Sequence, residues 1–458
     1  MKIDPGLFHP NYKPEPYWWE AARPSNQYST DLPEKTEILI VGSGYAGLSA
    51  ALELARGGRT VVVVEALAFG EGASTRSGGG VSAGVNIGKG ISGGPGQTDQ
   101  FTTQKNLIEN LILESRQAYE LVENLITSES INCHFEQRGR FIGANAPTHF
   151  EDLKAKSEYL NRFIQIDARL LPRKDQRSEI GSDFYHGGMV VGRAGKLHPS
   201  LFHKGLLDSC HKAGAALCAH TKVEKITGSQ GDFSIMTSQG PISSEQVIIA
   251  TNGYTGDLFP NLRKRIIPIS SQIITTEEIP EDLALELIPR GRTISETARV
   301  TNYYRLLPGD RHVMFGGRAR FSTIPHDISA ALLYSMMTDR WPQLKGVRIT
   351  HSWSGLVAMT MDSIPHVGEK KGLHFCTGCN GSGIAMMTYL GNRTAQRILS
   401  KELNPTAYFN VDFPKVPIPF YSGKPWFLPI IGNYYRFLDR KERAKSGQAK
   451  PNTNVKIH

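Results

Sequence analysis

The sequence has few cysteines and no long hydrophobic segment, and these two absences exclude several classes of protein. Its 458 residues contain five cysteines, which are too few and too scattered for a disulfide framework in a chain of this length. The longest apolar run, Ile38 to Leu52, is interrupted by glycines and is too short to span a bilayer. The first twenty residues carry prolines and charges where a secretory signal needs an apolar stretch. We therefore expect a cytoplasmic protein in a reducing compartment, with no transmembrane segment.

Positive charge is concentrated at the C-terminal end. The formal net charge is +9, and the range from Arg436 to His458 contributes +5 of it through seven lysines and arginines and two acids. A basic tail can contact RNA or an anionic membrane. No RNA-binding signature accompanies it. We expect a solvated, frayed terminus and no nucleic-acid partner, and we keep an RNA-associated protein as an alternative.

Elsewhere the chain alternates helical and strand patterns. The first 35 residues hold six prolines and the cluster Tyr17-Trp18-Trp19, which predicts an arm without regular structure that packs onto the body. Helices are predicted at 45–56, 100–127, 151–170, 196–214, 327–341 and 384–399. Strands are predicted at 37–41, 60–65, 217–226, 246–250, 266–276, 300–307, 312–316 and 373–376, with a hairpin-like region between the third and fourth.

Many of the 46 glycines cluster in three stretches of the sequence, at 42–47, 70–96 and 378–383. The first follows a buried strand, precedes a helix and has the spacing Gly42-x-Gly44-x-x-Gly47. In such a turn glycine permits a tight bend, close approach of a pyrophosphate and packing of helix on strand, with the phosphate at the helix N-terminus. Glu65 ends the next strand, where an acid accepts hydrogen bonds from a ribose. The predicted dinucleotide contacts here are Gly42, Ser43, Gly44, Tyr45, Ala46, Gly47, Glu65 and Ala66.

The other two stretches indicate FAD. Gly72–Gly80 supplies small residues, hydroxyls and one arginine, which suit a loop along a second phosphate, a ribityl chain and a flat ring. The predicted contacts in it are Ser74, Thr75, Arg76 and Gly79. Gly378–Gly383 opens a helix whose N-terminus can stabilise an anionic reduced flavin. A nicotinamide site rarely needs a second glycine-rich loop of this kind. An NAD-linked dehydrogenase is therefore the less favoured alternative.

Taken in order, these segments resemble the D-amino acid oxidase-like family of FAD-dependent amine and amino-acid oxidoreductases, and within it the γ-glutamylputrescine oxidoreductase-like branch. The resemblance covers about residues 16–440. Its pieces are PYWW at 16–19, ILIVGSGYAGLSAALELA, GASTRSGGG, KLHPSLFHKGLLDSCHKAGA, VIIATNGYT, FGGR at 315–318, WSGLVAMTMDSIPHVGE and TGCNGSGIAMM.

We predict an α/β fold, with a Rossmann-type FAD-binding domain and an inserted mixed β-sheet substrate domain. The predicted pieces are an N-terminal arm (1–35), the FAD-binding domain (36–99, 183–260 and 350–402), a helical segment with the start of the substrate domain (100–182), the substrate domain (261–349) and a C-terminal extension with a basic tail (403–458). The resemblance implies further FAD contacts at Val223, Thr251, Asn252, Gly253, Gly381, Ser382, Gly383 and Ile384, with Thr75 and Arg76 beside the flavin.

Departures from the family's patterns narrow the prediction. Some members with covalent FAD attach it to a cysteine at positions that correspond here to 351–362, a range without cysteine. Others attach it to a histidine near the second glycine loop, and residues 66–90 contain no histidine. We therefore predict non-covalent FAD. The substrate arginine of D-amino acid oxidases is absent from Ser354–Val357, which disfavours a simple α-amino acid. Met314 stands near the position of the oxygen-activating lysine of sarcosine oxidase-like members, so the acceptor is left open between oxygen and a quinone.

The predicted reaction is oxidation of a C–N bond in a small-molecule amine or amino-acid-like substrate. A neutral amine transfers hydride to flavin N5, and the imine is then hydrolysed. The candidate catalytic residues are Arg76, Tyr304 and Arg305, with Tyr303 and Arg318 as further substrate contacts. Because Tyr304 and Arg305 are adjacent on one strand, they should face opposite sides. We expect packing roles for the Cys376–Cys379 pair and no metal.

Overall fold

A computed structural model describes residues 3–83, 101–321, 323–400, 406–409 and 411–444, without the side chains of residues 101–108 and 163. The strands are β1 (Phe8–Lys13), β2 (Lys35–Val41), β3 (Val61–Val64), β4 (Gly80–Ser82), β5 (Arg140–Gly143), β6 (Ala168–Leu171), β7 (Gly188–Val191), β8 (Ala194–Lys196), β9 (Ala216–Cys218), β10 (Val223–Ser229), β11 (Asp232–Thr237), β12 (Gly240–Ile249), β13 (Ile267–Thr276), β14 (Thr293–Glu296), β15 (Tyr303–Leu306), β16 (Val313–Gly317), β17 (Ile349–Met359), β18 (His366–Lys370) and β19 (Leu373–Thr377). The helices are α1 (Tyr45–Arg56), α2 (Phe101–Ser128), α3 (Pro147–Ile164), α4 (Pro199–Lys212), α5 (Pro260–Arg263), α6 (Glu281–Leu287), α7 (His326–Arg340), α8 (Gly383–Ile398) and α9 (Leu428–Ala444).

An eight-stranded sheet carries the glycine turns. Its order is β10-β11-β12-β2-β3-β9, and β19 and β18 join it through β12. The pairs β12·β2, β2·β3, β3·β9 and β12·β19 are parallel. All four residues of β3 are buried, as expected of a parallel strand covered on both faces. The carboxyl ends of these strands therefore open toward one edge, where a nucleotide binds in such folds.

A second, mixed sheet of nine strands has the order β1-β17-β13-β16-β15-β14-β5-β7-β6. Helix α7 packs on one face, around the fully buried Trp341. The predicted α/β fold, with a Rossmann-type sheet and a mixed second sheet, is confirmed. The domain boundaries stay a prediction. The second sheet takes β7 from the range 183–260 and β17 largely from the range 350–402.

Several predicted element boundaries are corrected by local chemistry. The helix predicted at 196–214 begins only at Pro199, because Lys196 ends β8 and His198 caps the helix by accepting the N–H of Leu201 at 3.2 Å. The strand predicted at 217–226 is two strands, since His220 takes a positive φ of 50° between them. β9 then pairs with β3, and β10 pairs with β11 at the far end of the same sheet.

Both ends of the chain differ from the prediction. The arm contains β1, which pairs in parallel with β17 despite the prolines. The basic tail from Arg436 was expected to be frayed, but its first residues belong to α9, an amphipathic helix of 17 residues whose Leu428 packs with Ile267 and Ile269 of β13. Arg299 pairs with both Asp439 and Glu442 of α9 and holds it there. The helix was not predicted because the prolines at 414, 417, 419, 425 and 429 indicate irregular backbone. Residues 445–458 of the predicted tail lie outside the described residues.

Candidate active site

A cavity of about 1360 Å³ lies between the two sheets. All three glycine turns line it at one end, and β14, β15, β16 and the start of α9 line it at the other. The first turn is shaped by Gly42, whose φ of +105° is a left-handed conformation that side chains disfavour. Helix α1 begins beyond Gly44, which has no side chain to cap the helix, and the N–H of Tyr45 donates to the Ser74 hydroxyl at 3.2 Å. The turn from Gly42 to Ala46 lines the cavity, so the other N–H groups at the start of α1 lie where an anion site requires them.

Glu65 closes the turn from the neighbouring strand. Its Oε2 accepts the N–H of Ser43 at 3.0 Å and the Ser43 hydroxyl at 2.8 Å. Its Oε1 accepts the N–H of Leu67 at 3.2 Å. Oε1 keeps a further lone pair, so Glu65 can still accept a hydrogen bond from a ribose.

A histidine that the sequence analysis did not single out supports this turn. His203, on α4, is buried, and its Nε2 lies 2.8 Å from the carbonyl oxygen of Ser43. Burial lowers the pKa of His203, so the ring is neutral and donates through Nε2–H. Only the stretch KLHPSLFHKG indicated importance here, because the contact joins residues 160 positions apart.

The second loop is a short 3-10 helix, Ala73–Arg76, that the N-terminal arm holds in place. Trp19 donates to the hydroxyl of Thr75 at 3.0 Å, and Trp18 donates to the carbonyl oxygen of Ser77 at 2.8 Å. Trp18 is fully buried. The predicted packing of the arm's aromatic residues onto the body is confirmed.

Arg76 joins this loop to β17. Its Nε donates to the carbonyl oxygen of Glu71 at 2.9 Å, its Nη1 donates to that of Ser354 at 3.2 Å, and the guanidinium lies 4.7 Å from the Trp19 ring centroid. Burial lowers the pKa of Arg76. The side chain lines the cavity while anchored at the seam between the two sheets.

An amide network holds the third turn. Asn380 (φ +46°) donates through Nδ2 to the carbonyl oxygen of Gly378 at 2.8 Å, and its Oδ1 accepts the N–H of Thr360 at 3.0 Å. Asn252, which follows β12, accepts the N–H of Gly378 at 3.1 Å. Helix α8 then begins after Ser382 without a side-chain cap. Two uncapped helix N-termini, of α1 and α8, thus meet at one cavity.

Most of the predicted site residues line the cavity, and their roles in binding stay predictions. Those that do are Gly42, Ser43, Gly44, Tyr45, Ala46, Glu65, Ala66, Ser74, Arg76, Gly79, Val223, Thr251, Asn252, Tyr304, Arg305, Gly381, Ser382, Gly383 and Ile384. Three predicted residues support its walls instead. Gly47 packs on the Gly42 carbonyl, Thr75 donates to the carbonyl oxygen of Gly70 at 2.5 Å, and Gly253 packs on Leu356.

Tyr304 and Arg305 face opposite sides of β15, as their adjacent positions predicted. Tyr304 stacks on Phe315 and contacts the hydroxyl of Tyr185, among the apolar residues under α7. Arg305 donates to the carbonyl oxygens of Leu197 at 2.9 Å and Gly79 at 3.2 Å. Its position braces the second glycine loop, and whether it also contacts substrate stays a prediction.

Arg318 is a cation on the cavity wall. Its Nη2 lies 3.9 Å from the sulfur of Met359, and its Nε is buried without a hydrogen-bond partner among the described residues. Burial lowers the pKa of Arg318, although the neighbouring Tyr303 opposes that shift. A guanidinium stays protonated at neutral pH. Arg318 can therefore bind an anionic group that enters the cavity.

A buried charged network stands behind this end of the cavity. Glu296 accepts from Arg340 at 2.7 Å and 2.8 Å, from Asn302 at 2.7 Å and from the hydroxyl of Tyr185 at 2.9 Å. Burial alone raises the pKa of Glu296, but Arg340 outweighs it and leaves that pKa below its ordinary value. Glu296 is therefore ionised and fixes Tyr185, which in turn contacts Tyr304.

The remaining candidates have structural partners. Cys376 and Cys379 are free and buried, and burial raises the pKa of Cys376 to about 12, so its thiol stays protonated. His351 lies 3.1 Å from Glu20, and His366 lies 2.9 Å from Asp362. Among the described residues there is no cluster of three or more metal-ligating side chains. No helix there is long and apolar enough to cross a membrane.

The residues present fit FAD. Two helix N-termini without side-chain caps supply N–H donors for a pyrophosphate and for the oxygen edge of a flavin. The carboxylate of Glu65 stands one strand away from the first of them, where a ribose acceptor is needed. A Cβ at Gly44 would lie 3.2 Å from the Ser74 hydroxyl, so glycine keeps the approach between the two loops open.

Comparison with known proteins agrees with this geometry. The family described as "DAO: FAD dependent oxidoreductase" matches residues 37–397. The gamma-glutamylputrescine oxidoreductase of Escherichia coli K12 is 29% identical over 414 residues, covering 88% of this chain and 93% of the relative. A probable oxidoreductase OrdL of Haemophilus influenzae is 28% identical over 418 residues, covering 89% and 93%.

Solved structures share the fold at lower identity. Glycine oxidase of Geobacillus kaustophilus superposes with a TM-score of 0.68 at 21% identity, over 84% of this chain and all of that one. L-proline dehydrogenase of P. horikoshii gives 0.65 at 20% identity, over 86% and 98%.

Proposed function

Because this chain belongs to the DAO family of FAD-dependent oxidoreductases, we propose that it oxidises the C–N bond of an amine that also carries an anionic group, such as a carboxylate. The observation that carries the second part is Arg318, a cation on the cavity wall whose Nε has no described partner. Because the members of this family are FAD-dependent, the alternative of an NAD-linked dehydrogenase is wrong. The name of the Escherichia coli relative supports the choice of an amine.

FAD would lie with its pyrophosphate at the N-terminus of α1 and its adenosine ribose at Glu65. The Ala73–Arg76 segment and the N-terminus of α8 would hold the flavin ring. We propose that the cofactor is non-covalent. The absence of histidine from 66–90 and of cysteine from 351–362 supports this, since these are the attachment ranges of covalent relatives.

The chemistry that FAD would supply when bound is to accept the hydride that leaves the substrate's α-carbon. The protein's task is then to hold the amine neutral and oriented, because its lone pair assists hydride departure. The carbon–hydrogen bond breaks, a C=N bond forms, and water hydrolyses the imine to a carbonyl compound and an amine. The two electrons leave to oxygen or to a quinone.

The side chains at this end of the cavity are suited to positioning the substrate rather than to abstracting a proton from it. Burial raises the pKa of Tyr303 and of Tyr304, so both phenols stay protonated and act as donors. Tyr303 contacts Ser271 at 3.0 Å and lies against Gly78 and Gly316, between the flavin loop and Arg318. We propose that Tyr303 and Arg318 orient the substrate, while Arg76 and Arg305 fix the loop beside the flavin.

Anaerobic mixing of the purified holoprotein with a substrate panel tests the proposal. The panel pairs amines with and without a carboxylate: γ-glutamyl amines, N-alkyl amino acids, polyamines and N-methyl amines. We expect bleaching of the absorbance at about 450 nm by carboxylate-bearing amines. Bleaching by carboxylate-free amines alone would contradict the role of Arg318, and no bleaching by any amine would contradict amine oxidation. Reoxidation by air against a soluble quinone identifies the acceptor.

We also propose a cytoplasmic location. All five cysteines are free and buried, which agrees with a reducing compartment.

A further inference from the structure

Helix α9 presents a row of large apolar side chains to solvent. Ile430, Tyr434 and Phe437 are 68%, 57% and 60% exposed and follow one another at helical spacing. Trp426, 58% exposed, lies two residues before the helix, and Phe420, 98% exposed, lies farther upstream. So many exposed large apolar residues in 18 positions are unusual for a protein surface and mark an interaction site.

The opposite side of α9 is firmly attached to the body. Leu428 and Gly432 are buried, and Gly432 packs against Phe321. Arg436 donates to the carbonyl oxygens of Arg318 and Ala319 at 3.1 Å and 2.8 Å. The exposed row is therefore the outer face of a fixed helix.

The charge around this face is positive. The acids of α9, Asp439 and Glu442, both pair with Arg299 on the inner side, away from the exposed row. Arg440 and Lys441 are exposed beside the apolar row, and Lys424 is exposed before it. The sequence after the helix adds Lys445, Lys450 and Lys456 without any acid.

We propose that this face of α9 docks on an anionic lipid bilayer. Tryptophan, tyrosine, isoleucine and phenylalanine in one row fit the boundary between headgroups and acyl chains, and flanking lysines and arginines fit anionic headgroups. The helix lies on the surface and does not span it. Leu428, Ile431 and Tyr435 of the same helix line the cavity, so α9 lies between the cavity and the docked membrane. The inference does not depend on which amine is oxidised.

Co-sedimentation of the full-length holoprotein with vesicles tests it, using phosphatidylglycerol–phosphatidylcholine mixtures and phosphatidylcholine alone. We expect binding to the anionic vesicles that falls steeply at about 0.5 M salt. The double variant Ile430→Ser/Phe437→Ser should lower the partition coefficient at least about tenfold. Arg440→Ser/Lys441→Ser should lower it about tenfold or more on anionic vesicles only. The matched controls are Leu285→Ser, which removes an exposed leucine 57% accessible on α6, and Lys225→Ser, which removes an exposed lysine on β10.

Flavin absorbance and near-ultraviolet circular dichroism verify that each variant is folded. The tryptophan fluorescence of the wild type gives a second measure, because Trp426 should shift to shorter wavelength on binding, whereas Trp426→Phe should not show that shift. If the wild-type protein does not bind anionic vesicles, the proposal is overturned. A dimer that the α9 variants convert to monomer without any vesicle binding overturns it as well, since a second copy would then cover this face. Retention of RNA that anionic vesicles cannot displace also overturns it.

Discussion

The imidazole of His203 donates from Nε2 to the carbonyl oxygen of Ser43 at 2.8 Å, so a buried side chain of α4 fixes the backbone of the first glycine turn. Ser43 in turn donates twice to Glu65. A chain of hydrogen bonds thus runs from α4 through the turn to the predicted ribose acceptor. The turn's conformation depends on a contact that is not local in sequence.

Replacing His203 should therefore weaken FAD binding while leaving the fold intact. We expect His203→Ala to raise the dissociation constant of FAD about fivefold, because one net hydrogen bond contributes about 1 kcal/mol. Titration of the apoprotein with FAD, followed by quenching of flavin fluorescence, measures this. His211→Ala is the matched control, since His211 lies on the same helix but is exposed. Equal affinities of the two variants would show that the Ser43 contact is dispensable.

The crossing of α1 and α8 should tolerate no side chain at Gly391. Alanine in mid-helix is favoured by about 1 kcal/mol over glycine. A Cβ at Gly391, however, would overlap the carbonyl oxygen of Ala46 in α1. We expect overpacking to dominate, so that Gly391→Ala lowers the free energy of unfolding by about 1–3 kcal/mol. Urea unfolding measures it, with Gly256→Ala as control, because a Cβ at Gly256 meets nothing within 4 Å. A stabilised Gly391→Ala protein would contradict the packing.

Stability should fall between pH 6.5 and 4.5 because of buried histidines. Burial lowers the pKa of His198 and of His374 to about 4 and also lowers that of His203. A histidine with a lowered folded pKa stabilises the fold fully above its unfolded pKa near 6.5, and this contribution is lost as pH falls toward the folded pKa.

Carboxylates with lowered pKa values, such as Glu20 and Glu277, act only below about 4.5. Burial raises the pKa of Glu123 and of Asp339, which favours the fold as pH falls. A loss of stability above about 4.5 therefore reports on the histidines.

We expect the free energy of unfolding to fall by on the order of 2–3 kcal/mol across this window. Urea midpoints measured at each pH check this loss. His374→Gln should flatten the profile, whereas the control His211→Gln, at an exposed residue of α4, should not. A flat wild-type profile would contradict the shifts.

The sequence predicted the first βαβ unit well because its signals are local. The apolar run of β2, the face of α1 and the glycine spacing all lie within thirty residues. The same holds for the third turn and α8. Arg318 was named only as a further candidate, since its availability depends on what surrounds it in three dimensions.

Two features needed the tertiary structure. Helix α9 lies among prolines, and its attachment depends on Arg299, about 140 positions earlier. The buried pair of Glu296 and Arg340 reads as two ordinary charges in the sequence. Such contacts join segments that are distant in sequence, so the local spacing of apolar and polar residues does not predict them.

Acid precipitation should separate the flavin from the protein. Non-covalent FAD goes to the supernatant, and the precipitated protein should carry no flavin fluorescence. Cys379 lines the cavity, so a thioether there is the specific competitor. Its sulfur lies 3.8 Å from the carbonyl oxygen of Ala358, a packing contact. Flavin that remained on the wild type but not on Cys379→Ser would contradict the non-covalent proposal.

Arg318 should decide which amines are good substrates. We expect Arg318→Met to lower kcat/KM about a hundredfold for amines with a carboxylate, because a charge-assisted pair contributes about 3 kcal/mol. For amines without an anionic group the change should stay within about threefold, since they make no such pair. Arg318→Lys keeps the charge but loses the planar fork, so it should recover only part of the activity. Arg320→Met is the matched control, two residues along the same segment and not lining the cavity. If Arg318→Met lowered kcat/KM equally for both groups of amines, the residue would be supporting the site rather than binding the substrate's anion.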